Sequence, residues 1–120
     1  MGKTALMLAM QRAMAQDYST LVLSQEMPVN ELMSRHAAAV GRINLSDLRR
    51  PDQANDDVWA RVADAMERLG ALHMAFDDTR ALTLLDAGRK AMQAKRRRGL
   101  DVMFVDFLQL MAGEGDNRNQ

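Results

Sequence analysis

The sequence predicts an α/β protein in which short parallel strands alternate with helices. Two observations support this prediction. Segments with apolar residues at helical spacing recur along the chain, and three short apolar runs stand between them. Such runs, when bounded by polar residues, are typical of strands buried inside a parallel sheet. Because parallel neighbours require crossover connections, the alternation indicates a parallel sheet with flanking helices.

The composition limits the class of protein further. The 120 residues are 48% hydrophobic, which suits a single domain over residues 1–120. There is no cysteine and there are only two distant histidines, so neither a disulfide scaffold nor a His/Cys metal site is expected. Lys and Arg number 16, as do Asp and Glu, so net charge does not indicate a partner. No apolar run approaches the ~20 residues that span a bilayer, and we expect a cytoplasmic protein without a membrane partner.

The first helix and the first strand are predicted close to the N-terminus. Residues 3–16 are rich in helix-forming side chains and carry Leu6, Met10 and Ala13 at helical spacing. Residues 20–24, Thr-Leu-Val-Leu-Ser, form the first apolar run. We therefore expect a helix followed by a buried parallel strand.

A second helix is expected to start at about Pro28 and to stop at Gly41, since proline suits the first turn of a helix and glycine suits its end. The following segment, residues 43–51, is expected to be irregular with at most one helical turn. Ser46 and Asp47 have the side chains that favour a cap for that turn.

The third predicted helix covers residues 56–72, with Asp56 and Asp57 at its positive N-terminal end. An apolar stripe follows helical spacing along it. The stripe comprises Val58, Val62, Met66 and Leu69, joined by Trp59 and Ala63. We interpret Trp59 and the later Phe76 as core residues.

The remaining elements are a strand, a helix and a strand. Residues 73–76 form the second apolar run, and the turn-like Asp-Asp-Thr of residues 77–79 follows it. A fourth helix is expected over residues 83–97. Residues 100–110 are expected to begin as the third strand, with residues 102–105 as its apolar core. The basic run Lys95-Arg96-Arg97-Arg98 is interpreted as a solvated helix end, although a nucleic-acid-binding patch is the alternative.

The first residues match part of a phosphate-binding loop. Gly2, Lys3 and Thr4 lead directly into the first predicted helix. Glycine lets the backbone approach a phosphate, and the helix N-terminus points N–H groups at the anion. The lysine of such a loop reaches the β- and γ-phosphates, and the threonine hydroxyl binds Mg²⁺. Three matching residues also occur by chance, so this string alone does not establish a nucleotide site.

Two acidic residues follow predicted strands. Asp106 ends the apolar run of residues 102–105, and nucleotide sites of open sheets lie at the carboxyl ends of parallel strands. An aspartate at that position in phosphate-loop ATPases holds Mg²⁺. Glu26 follows the first strand, where a carboxylate can act as the general base toward an attacking water. The simpler interpretation of Asp106 is a cap at the end of a strand. The simpler interpretation of Glu26 is an acidic residue just before a helix, which the helix dipole favours.

The order of these strings resembles the motor domain of replicative DNA helicases of the DnaB type. Gly-Lys-Thr is followed by Ser-Gln-Glu-Met-Pro at residues 24–28 and by Asp-Phe-Leu-Gln-Leu-Met at residues 106–111. The last string is the most specific piece of the resemblance. Asp-Asp-Val-Trp from residue 56 and the pair Asp77-Asp78 also stand in the order that the family shows.

The resemblance implies a RecA-like P-loop NTPase fold that uses ATP and Mg²⁺. By position in the motifs, Gly2 and Lys3 would contact the phosphates, and Thr4 and Asp106 would serve the Mg²⁺. Glu26 would be the catalytic base. The family further implies a homo-hexameric ring that hydrolyses ATP, binds DNA and unwinds it at replication forks, with a helicase loader or a primase as a further partner.

The chain also departs from the family pattern. Gln25 stands where an apolar residue is usual, and Phe107 replaces a tyrosine. The family's strand before the phosphate loop, the first half of that loop and the segments after Gln120 have no counterpart among these 120 residues. We therefore expect a partial domain, truncated at both ends, that is inactive alone and leaves Leu6 and Met10 exposed.

Two other functions remain open from the sequence. The chain could be a non-catalytic interaction remnant that binds helicase subunits and disturbs their ring. It could also be a piece of another RecA-like ATPase, such as a recombinase. The Leu-Gln-Leu-Met continuation at residues 108–111 favours the helicase over this second alternative.

Overall fold

The computed structural model describes residues 2–50, 52, 55–80 and 83–106. Within these residues lie the four helices and three strands that the sequence predicts, together with a fifth, short helix in the segment expected to hold at most one helical turn. The helices are α1 (Gly2–Met14), α2 (Val29–Gly41), α3 (Leu45–Arg49), α4 (Asp56–Gly70) and α5 (Leu84–Arg98). The strands are β1 (Thr20–Ser24), β2 (Met74–Asp77) and β3 (Val102–Asp106). None of these helices is long and apolar enough to cross a membrane.

The strands form one sheet in the order β2-β1-β3, and both pairs are parallel. In register, Leu23 lies opposite Asp77, and Ser24 lies opposite Asp106. All three strands therefore end at the same edge, which we call the carboxyl edge. The loops after β1 and β2 and the last residue of β3 meet there.

The strand β1 matches its predicted bounds, because a continuous apolar run can be recognised without any alternating or helical pattern of residues. Helix α2 ends at Gly41 and α4 begins at Asp56, as predicted. The remaining described boundaries shift by one or two residues, and Thr83 caps α5 instead of opening it. The third strand is described as far as Asp106, and its predicted continuation over residues 107–110 lies outside the described residues. The basic run Lys95–Arg98 forms the exposed last turn of α5, as predicted.

The predicted cap of the short helix is wrong. Ser46 and Asp47 lie inside α3, and Asn44 occupies the cap position. The Asn44 side chain makes no cap hydrogen bond, and its backbone carbonyl accepts from the Asp47 N–H at 3.0 Å. The turn therefore begins two residues earlier than a cap at Ser46 would place it.

The buried side of α4 was also predicted wrongly in part. Trp59 and Met66 are 46% and 45% exposed, so neither is a core residue. The helix instead buries Ala65 and Leu69 against Ala37 of α2. A Cβ added to Gly41 would lie 3.2 Å from the Ala65 Cβ, so small side chains let α2 and α4 approach closely and turn the large ones outward.

The sheet is packed on both faces. Val22 packs with Leu8 of α1 and Leu32 of α2 on one face, and Phe76 and Phe104 adjoin them, so the core prediction for Phe76 is confirmed. The opposite face carries Leu21 and Leu23, which pack against Ala87 of α5. Leu6 and Met10 are exposed as expected, because α1 buries Leu8 and Gln11 instead.

Candidate functional site

The carboxyl edge brings together two of the residues that the motifs single out. Lys3, in the first turn of α1, places its Nζ 3.1 Å from Oδ1 of Asp106 at the end of β3. The Lys3 side chain is 75% exposed, whereas Asp106 is only 13% exposed. The solvent-accessible Lys3 ammonium therefore forms an ion pair with the largely buried Asp106 carboxylate.

The N-terminus of α1 adds backbone donors to this corner. Gly2 opens the helix, and no atom lies within 4 Å of the point where a Cβ would sit. The first N–H groups of a helix have no partner inside it and favour an anion. Thr4 follows Lys3 in the same turn and is half-buried.

Glu26 lies at the same edge, but its carboxylate is not in contact with the Lys3–Asp106 pair. The residue is exposed in the loop that follows β1. The connection to β3 runs through the preceding residue, since the Gln25 backbone N–H donates to the Asp106 carbonyl oxygen at 3.3 Å. The structure thus places all the predicted site residues at one edge and joins Lys3 directly to Asp106.

The oxygen donors at this corner fit Mg²⁺. The ion prefers oxygen ligands and is usually held by one or two protein groups together with water and phosphate oxygens. The Asp106 carboxylate and the Thr4 hydroxyl are donors of that kind. The described residues contain no group of three His, Cys, Asp or Glu side chains that could hold a metal alone, and a site completed by phosphate oxygens does not require one.

Sequence reasoning predicted a turn after β2 but missed the contacts that this loop makes with the segment after β1. The Asp78 carboxylate accepts from the Val29 backbone N–H at 2.9 Å, and the Gln25 side-chain amide donates to the Thr79 carbonyl oxygen. One signal was available. Pro28 occupies the N-cap position of α2 and has no side-chain acceptor, so the helix needs an acceptor from elsewhere.

Asp77 fixes this loop to α5. Its carboxylate lies 2.7 Å from Nζ of Lys90 and accepts from the Thr79 backbone N–H at 2.8 Å. Burial by itself raises the pKa of Asp77, but the hydrogen bonds from Lys90 and Thr79 outweigh it and hold the pKa below its usual value. Asp77 therefore stays ionised and anchored at neutral pH.

A buried polar chain lies beneath α1. Arg12 donates to Nδ1 of His36 at 3.0 Å, and His36 Nε2 donates to Oε1 of Gln11 at 2.9 Å. Gln11 then donates to the Thr20 hydroxyl at 3.2 Å, which donates to the His73 carbonyl oxygen. Burial, aided by the Arg12 charge, lowers the pKa of His36 to about 4. The neutral His36 ring therefore links α2 to α1, and Gln11 links α1 to β1.

Comparison with known families matches residues 1–120 to the DnaB-like helicase C-terminal domain. The chain is 34% identical to the replicative DNA helicase DnaC of Bacillus subtilis, covering 99% of this chain and 27% of that protein. It is 36% identical to the replicative DNA helicase DnaB of Buchnera aphidicola, covering 92% of this chain and 24% of that protein. The chain thus spans about a quarter of the length of these relatives.

Solved structures give a matching result. One solved ATPase domain superposes with a TM-score of 0.81 at 28% identity, covering 91% of this chain and 40% of that one. A DnaB-like replicative helicase, described with its interactions with primase, gives a TM-score of 0.81 at 29% identity over 92% of this chain and 27% of that one. This likeness confirms the predicted RecA-like α/β fold.

Proposed function

This chain belongs to the DnaB-like helicase C-terminal domain family, and from that membership we propose that its carboxyl edge binds Mg-ATP within a replicative DNA helicase. The observation that carries the proposal is the contact between Lys3 and Asp106. A lysine in the first turn of a helix and an aspartate at the end of a neighbouring strand are the two charges that phosphate-loop ATPases place around the nucleotide phosphates. The match to the DnaB-like helicase C-terminal domain supports the proposal.

The proposed roles follow from charge and position. Lys3 binds the β- and γ-phosphates, and the exposed position of its ammonium allows it to leave Asp106 for the nucleotide. The N–H groups after Gly2 hold phosphate oxygens at the positive end of α1. Thr4 and Asp106 hold Mg²⁺, which neutralises charge on the phosphates when it is bound.

Glu26 is proposed as the general base. Its carboxylate is exposed at the carboxyl edge, where an incoming water can reach it. By taking a proton from that water, the carboxylate promotes attack on the γ-phosphate. The neighbouring Gln25 N–H, bonded to the Asp106 carbonyl oxygen, ties this loop to the strand that carries the metal ligand.

The activity proposed for the whole protein is ATP-dependent unwinding of duplex DNA by a homo-hexameric ring in the cytoplasm. A helicase loader or a primase is proposed as a further partner, because a similar helicase structure is described with its interactions with primase. The chain covers 27% of a relative's length, so these activities belong to the longer assembly.

The proposal is tested in a chimera in which residues 1–120 replace the matching segment of a full-length replicative helicase relative. Lys3→Ala should weaken Mg-ATP binding by roughly ten-fold or more, since a charge-assisted bond contributes about 1.5–3 kcal/mol. Glu26→Gln should keep binding but slow hydrolysis by roughly 10²–10⁴-fold, because the amide cannot accept the proton. Nucleotide titration and phosphate release measure the two effects.

Lys95→Ala is the matched control, because Lys95 is an exposed lysine in the last turn of α5, outside the proposed phosphate contacts. It should behave as the unmodified chimera does. Wild-type affinity in the Lys3 variant would contradict the phosphate site. Wild-type hydrolysis in the Glu26 variant would contradict the assignment of the base.

A further inference from the structure

The segment that carries Glu26 is held at both ends by the loop that follows β2. At its start, the Gln25 side-chain amide donates to the Thr79 carbonyl oxygen. At its end, the Val29 backbone N–H donates to the Asp78 carboxylate at 2.9 Å. We call these two hydrogen bonds the clasp. Glu26 lies between them, so the clasp limits where its backbone can move.

The Asp78 bond replaces a cap that the sequence of α2 cannot supply. Pro28, the N-cap residue, has an extended backbone with φ −68° and ψ 159° and makes no side-chain cap hydrogen bond. The first N–H of α2 therefore depends on an acceptor outside the helix. A carboxylate suits this place, because the bond is charge-assisted and the N-terminus of a helix favours a negative charge.

The loop that forms the clasp is itself fixed. The Asp77 carboxylate accepts from the Thr79 backbone N–H at 2.8 Å and pairs with Lys90 of α5 at 2.7 Å. On the other side, the Met27 backbone N–H donates to the Ser24 hydroxyl at 3.2 Å. The clasp thus joins two short, internally bonded loops, one of which is anchored to a helix on the far face of the sheet.

We propose that Asp78 and Gln25 are positioning residues for Glu26, acting through the backbone on either side of it. This inference rests on the proposed function, in which Glu26 is the base. An exposed carboxylate has few side-chain contacts to fix it, so its placement depends on the loop that carries it. Since a misplacement of about 1 Å can cost about 10²-fold in rate, loosening the clasp should lower kcat more than it changes KM.

The test compares variants of Asp78 in the same chimera. Asp78→Ala removes the acceptor and should lower kcat for ATP hydrolysis by roughly ten-fold or more, while KM for ATP stays within about two-fold. Asp78→Asn keeps an acceptor oxygen for the Val29 N–H and should restore most of kcat. Gln25→Ala removes the other bond and should lower kcat by itself, and the pair of substitutions should lower it further.

Asp101→Ala is the matched control. The Asp101 carboxylate also accepts from a backbone N–H, that of Ser19 at 2.8 Å, but at the opposite edge of the sheet. This variant should keep the kcat of the unmodified chimera. An equal loss in the Asp101 and Asp78 variants would overturn the inference, since it would reveal general destabilisation.

Hydrogen exchange on the 120-residue chain provides a readout independent of catalysis. The Val29 amide should exchange faster in Asp78→Ala and at the original rate in Asp78→Asn. Unchanged exchange, or wild-type kcat in Asp78→Ala where Glu26→Gln is inactive, would overturn the positioning role and leave the proposed function standing. An active Glu26→Gln variant would overturn the base assignment and the inference with it.

Discussion

The two faces of β1 differ in the depth of the layers that cover them. On one face, Val22 contacts α1 and α2, and a second cluster centred on Ala37 and Ala65 joins α2 to α4 behind it. On the other face, Leu21 and Leu23 contact α5 alone among the described helices. We call these the α1/α2 face and the α5 face.

The difference appears when the large apolar side chains of α2 are compared with those of α5. Leu32 on the α1/α2 face is fully buried, whereas Leu84, Leu85 and Met92 of α5 are 51–62% exposed. We therefore expect α2 to derive its stability mainly from packing and α5 to depend more on its ends. Its start carries a capping box between Thr83 and Asp86, and its last turn is basic, which suits the negative end of the helix.

The largest expected effect is the difference in stability between two Leu→Ala variants, one on each face. Leu32→Ala should lower the free energy of unfolding by about 2–5 kcal/mol, because it removes buried methyl groups and leaves a cavity. Leu85→Ala should change it by less than about 0.5 kcal/mol, because that side chain is 62% exposed. Urea unfolding followed by circular dichroism measures both values. Similar losses in the two variants would mean that the faces are equally packed.

A second effect concerns the buried His36 on the α1/α2 face. Its pKa is about 4 in the folded chain, against the ordinary value of 6.5 expected for an unfolded chain, so the unfolded state binds the proton first as pH falls. Stability that is present above pH 6.5 should be lost between pH 6.5 and 4, by roughly 2–3 kcal/mol. Below pH 4 this contribution should change no further.

Denaturation midpoints across that pH range test the assignment. His36→Gln removes the titrating group, so the decline between pH 6.5 and 4 should become shallower in that variant. An equal decline in both proteins would attribute the pH dependence to other groups and leave His36 as a neutral packing residue only.

The smallest expected effect is at the start of α5. The Thr83 side chain accepts from the Asp86 backbone N–H at 3.2 Å, and Thr83→Ala should lower the free energy of unfolding by about 0.5–2 kcal/mol. Ser46→Ala is a suitable control, since Ser46 lies inside α3 and provides no N-cap there. If the control costs as much as the Thr83 variant, capping does not distinguish α5.

Local patterns predicted the elements but not the way they rotate or meet. The apolar run of β1 was recognisable at its true bounds because every one of its side chains is buried. The exposure of Trp59 was missed because the spacing of apolar residues does not reveal that Ala65, opposite Gly41, sets the contact side of α4. Small residues carry little weight in an apolar stripe, yet they decide how closely two helices approach.

The candidate site was predictable where strand ends converge. Lys3 and Asp106 are far apart in sequence, but a helix start and a parallel strand end were both expected at the carboxyl edge. The bond from Asp78 to Val29 was not predictable in the same way, because it joins two loops 49 residues apart. The prediction needs the register of β1 and β2, which no local pattern supplies.

The parallel pairing of β1 also joins segments that lie far apart in the sequence. Ser19, just before β1, bonds to the Asp101 carboxylate 82 residues later, and the β1–β3 ladder closes over a similar span. Contacts between α2 and α3 form over a much shorter loop, so they can form while the chain is still being synthesised at roughly 5–20 residues per second. We therefore expect β1 to pair with β3 after these local contacts have formed, and the corner that holds Lys3 and Asp106 to assemble together with that pairing.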